Sequence, residues 1–354
     1  MTETTDVLVL GLGPAGASAA AEAARRGCKV IAADRKREPG RPVQCAEFVP
    51  FMIGMDVGDL ARSARQRIHA MATFVEDDAP DMKENFPGHM LDRAEFDAAL
   101  VGEASRAGAQ CRFGVSVRRL GGGGRVELSD GRAIRARVIV GAEGPRSLAG
   151  RAIGRVNTEL VETRQITVSL RQAHSATDIF LSAGMPGGYG WLFPKRAVAN
   201  LGAGVHPAHA SRLKQIVARL HAGLIEEGRV GREILALTGG AIPVGGMLKP
   251  RGMLGDTAVL LAGDAAGLTN PVTGAGIAAA VHSGRLAGEA AAGHVAGDPS
   301  AAQSYEEELE TVFKPALERA ARRRTELAAA CRAGTPGKQA LRRGWIAYPE
   351  YWAA

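Results

Sequence analysis

A chain of 354 residues that is 46% hydrophobic but only 5% aromatic, with 46 glycines, can bury a substantial core and reads as an Ala/Gly/Val-rich α/β protein rather than an aromatic-rich β-sandwich. Its formal charge of +7 is dispersed, and even Arg322-Arg323-Arg324 stands in a glutamate-bearing stretch, so no nucleic-acid stripe is expected. A basic chain favours anionic cofactors, phosphorylated lipids or a membrane surface.

Residues 6–10, DVLVL, predict a short buried strand, and the polar MTETT before them carries no basic secretory leader. GLGPAG follows, then an Ala-rich helix to Gly27 and a second strand over 28–34, CKVIAAD. This strand-turn-helix-strand unit places Gly11, Gly13 and Gly16 where a dinucleotide fingerprint requires them. Gly11 permits the tight turn, Gly13 lets backbone approach a pyrophosphate, and Gly16 lets the helix pack on the strand. Pro14 and Ala15 open the helix, whose free N–H groups and positive dipole end favour phosphate. Asp34 ends the second strand, where a carboxylate accepts ribose hydroxyls and repels a 2′-phosphate, so FAD or NAD is expected rather than NADP.

Further along, Gly121–Gly124 is a flexible connector, and 125–140 reads as two strands around a Ser-Asp-Gly turn. Short β-like runs from 164 to 205 predict an antiparallel sheet in a second domain, closed by a helix over 210–227. AVLLAGD, 258–264, is a buried strand, followed by helices over 275–292 and 300–330 and a Trp/Tyr-bearing tail. Cys28, Cys45, Cys111 and Cys331 form no CxxC pair, so no metal site is expected and a reduced, cytoplasmic setting is the default; a Cys45–Cys331 bridge stays open. No run of about 18 apolar residues predicts a membrane span.

LLAGDAAGLTNPVTGAGIAAA, 260–280, resembles the second FAD motif of para-hydroxybenzoate-hydroxylase-like flavoproteins. The resemblance implies that Gly263 and Asp264 meet the ribityl chain, and that Gly274, Gly276 and Ile277 lie at the flavin O2/N1 edge. There a helix amino terminus stabilises negative charge. LDRAEFD, 91–97, implies Arg93 at the FAD pyrophosphate, and Arg35, Arg41, Cys45, Ala46 and Val117 complete the implied cofactor contacts. VIVGAEGPRS, 138–147, carries Glu143 where that family writes Asp, and Gly267 stands where many aromatic hydroxylases carry His.

Pro-x-x-Cys-x-Glu at 42–47 and Pro186-Gly187-Gly188-Tyr189-Gly190-Trp191-Leu192-Phe193-Pro194 are similar to the geranylgeranyl reductase family, the latter fitting PxxYxWxFP at each specified position. That resemblance covers nearly the whole chain. It implies a Rossmann-like FAD-binding domain (1–75, 91–155 and 240–300), an interleaved antiparallel-sheet substrate domain (76–90 and 156–239) and a helical C-terminal region (301–354). It also implies reduction of carbon–carbon double bonds in an isoprenoid or other hydrophobic substrate. Cys45, Glu47 and Tyr189 are the expected proton-handling residues. Tyr189, Trp191 and Phe193, on one face of a strand, are the expected pocket wall. The apolar run 48–55 is an expected substrate entrance.

Two rivals stand beside this reading: hydroxylation of a small molecule or peptide side chain by a flavin-dependent monooxygenase, and a flavin-binding electron-transfer partner. NADPH, NADH or ferredoxin is the expected electron donor, because no second dinucleotide fingerprint occurs. The substrate is expected to be hydrophobic or lipid-like, with peripheral contact to the inner membrane face.

Overall fold

The computed structural model describes residues 2–50 and 60–353. In chain order the first elements are β1 (Thr2–Leu10), α1 (Pro14–Arg25), β2 (Val30–Asp34), β3 (Phe48–Pro50), α2 (Leu60–Ser63), β4 (Ala64–Ile68), β5 (Ala70–Val75), β6 (Asp81–Lys83) and β7 (Gly88–Leu91). Next come α3 (Arg93–Arg106), β8 (Gln110–Phe113), β9 (Val117–Leu120), β10 (Arg125–Leu128), β11 (Ala133–Gly141) and α4 (Leu148–Ala152). A run of strands follows, β12 (Leu160–Leu170), β13 (Ala176–Leu181), β14 (Gly190–Lys195) and β15 (Val198–Val205), and then α5 (Leu213–Glu226) and β16 (Val230–Pro243). The chain closes with β17 (Arg251–Leu254), β18 (Thr257–Leu261), α6 (Ile277–Val295), α7 (Ala301–Ala333), α8 (Lys338–Arg343) and α9 (Pro349–Trp352).

Among the described residues the strands form three sheets. One has eight strands, with the path β17-β18-β11-β1-β2-β8 and the pair β9, β10 branching from β11. Its centre is parallel, so its strands are buried on both faces and read as near-continuous apolar runs such as Val7–Leu10 and Val138–Val140. The second sheet runs β16-β12-β15-β14-β13-β5-β6 and is mostly antiparallel; α5 covers one face through Val217 and Leu224. A small sheet, β3-β7-β4, lies between them in the chain.

Three expectations need correction. β1 starts at Thr2, not at residue 6, because the polar TETT segment pairs in register with residues 133–136 of β11. Residues 70–75, expected with the cofactor-binding unit, form β5, which pairs in parallel with β13 in the seven-stranded sheet. Residues 240–243, expected with the same unit, are the end of β16. Neither sequence carries a mark of its partner, since long-range pairing decides it. The proposed entrance over 48–55 lies outside the described residues beyond Pro50. All four cysteines are free.

What positions the site is the contact of α1 with α6. Small residues let the two helices meet at backbone distance. A Cβ on Gly284 would stand 2.2 Å from the Ala15 carbonyl oxygen, and one on Gly288 2.5 Å from that of Ala19. Gly284→Ala should therefore cost about 1–3 kcal/mol by overpacking. Gly223→Ala on α5, where a Cβ meets nothing within 4 Å, should instead gain about 0.5–1 kcal/mol. Urea midpoints of the two variants against the parent check both signs.

Candidate active site

The first cluster sits at the carboxyl ends of β1 and β2. Gly11 adopts φ +90°, and a Cβ there would lie 2.4 Å from the Ala142 carbonyl oxygen. A Cβ on Gly16 would lie 1.8 Å from the Gly11 carbonyl oxygen, so the turn and helix touch directly. Gly13 differs: a Cβ there meets no atom within 4 Å. It is also the N-cap of α1 and makes no side-chain cap, with Pro14 beginning the helix. Open space in front of uncapped N–H groups is what a pyrophosphate needs.

Asp34 closes the loop from the far side. Its carboxylate accepts the Leu12 N–H at 2.7 Å and the Lys36 N–H at 2.7 Å. The Val115 N–H donates to the Asp34 carbonyl at 2.9 Å, which brings the approach to Val117 alongside. Arg35 and Arg41 have exposed side chains, and Arg41 only approaches Glu38, at 3.9 Å.

The second cluster follows β18. Gly263 brings its motif against the first, because a Cβ on it would lie 3.0 Å from the Ala15 Cβ. Asp264 accepts the Thr269 hydroxyl at 2.6 Å. Burial pushes this carboxyl above its ordinary range, against the pull of Thr269 and the Arg93 charge. Its other oxygen has no protein donor among the described residues. The loop to α6 is preorganised by Asn270, whose Oδ1 accepts the Val272 and Thr273 N–H groups, each at 3.0 Å. Gly276 caps α6 without a side-chain bond and leaves the first-turn N–H groups at Ile277 free.

Arg93 joins the two clusters. Its guanidinium donates to Asp97 at 3.0 and 3.1 Å and interacts with the Cys45 side chain. Burial pulls its pKa down, but these partners outweigh that and keep it above the ordinary arginine range. Glu143 plays no part here. It accepts the Ser147 hydroxyl at 2.6 Å and the Ala149 N–H at 3.0 Å, holding the start of α4, while burial raises its pKa.

The Cys45 loop is held by residues that the sequence reading did not single out. Gln165 donates to the Cys45 carbonyl at 3.2 Å and accepts the Trp191 indole N–H at 3.0 Å. Asn200 donates to the Ala46 carbonyl at 3.2 Å and to Glu47 at 2.9 Å. Lys195 donates to Glu47 at 2.5 Å, and Glu47 also accepts the Arg93 N–H at 3.0 Å. Thr238 and Gln44 tie the same loop to β16 through the Val43 and Gly239 carbonyls, at 2.7 and 3.0 Å. A polar side chain buried inside an apolar strand was the available signal at Gln165 and Asn200. Glu47 is thus a buried, paired carboxylate that fixes a turn at φ +68°, a geometry for holding the loop rather than for moving a proton.

Trp191 and Phe193 share one face of β14, and Tyr189 stands just before it; successive ring centroids from Tyr189 to Phe193 are 5.8 and 6.4 Å apart. Trp191 and Phe193 are buried in an apolar cluster that also takes in Met90 and Trp345. Trp345, from the tail, packs against Tyr189 at a tilt, with centroids 4.8 Å apart. The Tyr189 hydroxyl donates to the Thr273 carbonyl at 2.5 Å, and burial raises its pKa, so its proton is committed to anchoring the loop before α6.

Such an arrangement, two glycine motifs at adjoining helix starts with a carboxylate behind each, defines an FAD-binding oxidoreductase. Family models agree: residues 4–180 match an FAD binding domain and residues 160–242 a geranylgeranyl reductase catalytic domain. The chain is 30% identical over 315 residues to the digeranylgeranylglycerophospholipid reductase of Methanosarcina acetivorans, covering 82% of this chain and 76% of that one. It is 35% identical over 348 residues to digeranylgeranylglycerophospholipid reductase 2 of Methanopyrus kandleri, covering 88% and 85%. A geranylgeranyl bacteriochlorophyll reductase-like protein of Thermoplasma acidophilum has the same fold, with TM-score 0.80, 24% identity and coverage of 99% and 98%. So does a probable FAD-dependent monooxygenase of Pseudomonas aeruginosa, with TM-score 0.70, 17% identity and coverage of 96% and 98%. The chain belongs to the geranylgeranyl reductase family of FAD-dependent oxidoreductases.

Two variants separate cofactor contact from folding. Gly13→Val should fold with an unchanged melting temperature yet bind FAD at least about ten-fold more weakly, because the new side chain fills only the ligand's space. Gly16→Ala should lower the melting temperature itself. Flavin fluorescence titration and thermal melts read the two effects. Lys195→Met should leave the Glu47 carboxylate buried with its cation gone and cost about 3–5 kcal/mol in urea unfolding, and adding Glu47→Gln should recover part of the loss.

Proposed function

We propose that the protein reduces carbon–carbon double bonds of an isoprenoid lipid. The observation that carries this reading is the convergence of the 186–194 motif on the Cys45 loop, through Trp191, Gln165 and the Cys45 carbonyl. The relatives in Methanosarcina and Methanopyrus are reductases of digeranylgeranylglycerophospholipid, and an isoprenoid glycerophospholipid is accordingly the proposed substrate class.

FAD, when bound and reduced by the electron donor, would supply the hydride. The Gly13 turn and the α1 amino terminus would hold its pyrophosphate, with Asp34 at the adenosine ribose and Asp264 at the ribityl hydroxyls. Arg93, between Asp264 and Cys45, would neutralise the diphosphate side. The free first-turn N–H groups of α6 would stabilise negative charge at the ring.

Saturating an alkene requires a proton on the second carbon. Of the three residues expected to handle it, Tyr189 donates its proton to Thr273 and Glu47 is locked in an ion pair. Cys45 alone keeps its proton uncommitted. Its Sγ accepts the Glu47 N–H at 3.2 Å and interacts with the Arg93 guanidinium. Solvent then restores the thiol. Trp191, Phe193 and Trp345 would keep water from the reacting carbons, and their π faces would favour developing positive charge.

Mixed anaerobically with digeranylgeranylglycerophospholipid, the reduced holoprotein should regain oxidised flavin absorbance and yield a product heavier by two hydrogens per double bond. Cys45→Ser should bind FAD normally and slow that reoxidation by about 10²–10⁴-fold. Turnover that needs dioxygen and adds an oxygen atom would assign the protein to the monooxygenases instead. Parallel additions of NADPH, NADH and reduced ferredoxin identify the donor by which of them bleaches the flavin.

A further inference from the structure

An outer edge of the seven-stranded sheet is β16, which among the described residues pairs only with β12. Residues 232–237 are exposed without interruption, and three of them are large and apolar: Ile234 (54% exposed), Leu235 (48%) and Leu237 (57%). Natural sheet edges are usually blunted by charge. This one presents a greasy ridge, and a patch of that kind on a folded protein marks a surface that something covers.

Two observations say what. Leu237 lines an open groove together with Arg164 and Lys214, and Arg212 sits between Ser211 and Leu213, which line it too. Among the described residues, none of these three cations is ion-paired with a carboxylate. Glu233 is the one acid in the exposed run, and Arg232 stands beside it. An exposed apolar strand edge with unpaired cations beside Leu237 matches an anionic lipid surface, where the apolar chains enter the acyl boundary and the cations meet headgroup phosphates. Strand addition by a second copy is disfavoured, because the β12–β16 register breaks between Thr167 and Val168 and again between Val168 and Leu170, beside the apolar run.

We infer that the β16 edge, with the groove lined by Arg164 and Lys214, docks this protein onto an anionic lipid bilayer. The inference rests on the reading that the substrate is an isoprenoid lipid, and it says where that lipid is met. The same strand holds the Cys45 loop a few residues further on, through Thr238 and Gly239. A lipid leaving the bilayer at Leu237 therefore reaches the strand end next to the reducing site, and the protein need not release its surface to turn over.

The test is co-sedimentation of the holoprotein with vesicles of phosphatidylglycerol and phosphatidylcholine in equal parts, and with phosphatidylcholine alone. The parent should bind the anionic vesicles on the order of ten-fold more strongly than the neutral ones, and raised salt should weaken that binding. Ile234→Ser with Leu237→Ser, and separately Arg212→Glu with Lys214→Glu, should each weaken it on the order of ten-fold or more. Neither pair should change FAD absorbance or turnover of a short prenyl substrate in free solution, while turnover of vesicle-embedded substrate falls with binding. A parent that ignores both vesicles, or variants that bind as the parent does, overturns the docking surface even if soluble turnover persists. A parent dimer that the apolar variant converts to monomer gives the edge to a second copy and overturns it too. Vesicle binding lost in the variants, with no prenyl turnover by any protein, keeps the surface and removes the reductase reading.

Discussion

The structure depends on bringing two helix starts together. α1 and α6 are far apart in the chain, yet their amino ends meet, and in the proposed reading they would face one extended cofactor, one end for its diphosphate and the other for its ring. Glycine and alanine along both helices make that possible, since Gly284 and Gly288 let α6 ride directly on the α1 backbone. A bulkier pair would hold the axes further apart. Gly263 would then leave Ala15, and Asp264 would leave the neighbourhood of Arg93. The Ala/Gly-rich composition is therefore a geometric requirement of the binding site before it is a statement about helix propensity.

A second constraint works at the Cys45 loop, which has little regular structure of its own between β2 and β3. It is ordered from outside by side chains on β12, β14, β15 and β16 of the other sheet. In the ion pair of Glu47 with Lys195 the carboxylate is buried and the ammonium half-buried, so the pair's net contribution to stability is small while its rupture, which leaves the buried carboxylate unpaired, is costly. That asymmetry suits positioning. The pair discriminates strongly against any loop conformation that separates its members, and it places the thiol relative to Arg93 with little freedom. The two sheets are coupled through this network, which ties the motif on β14 to the Cys45 loop.

Much of this organisation could be read in the sequence. GLGPAG and GDAAGLTNPVTGAGI announce the two helix starts because each glycine answers a local steric demand. The alternation of Tyr189, Trp191 and Phe193 announces a common face because strand periodicity is local as well. Register across the sheets was not legible. Nothing in AMATFV says that β5 pairs with β13, and nothing in TETT says that it extends β1 along β11. The roles of the expected acids were also hidden, since Tyr189 and Glu47 are each spoken for by a partner far away in the chain, Thr273 and Lys195. Identity of a side chain shows what it can donate; only the fold shows to whom it already donates.

Part of the chain's unpaired positive charge lies beside the apolar edge of β16. Some arginines are neutralised locally, as Arg65 is by Glu95 and Asp92, or Arg251 by Glu306. Cations so matched create little field beyond the protein. Arg164, Arg212 and Lys214 are left over beside the apolar edge of β16. There they cannot strengthen the fold, and the exposed leucines beside them carry a standing risk of aggregation. A surface that destabilises the free protein on both counts is consistent with selection for what it binds. A lipid substrate with an anionic headgroup and long apolar chains is chemically the same surface in miniature, so one patch can both hold the protein at the bilayer and present it with substrate.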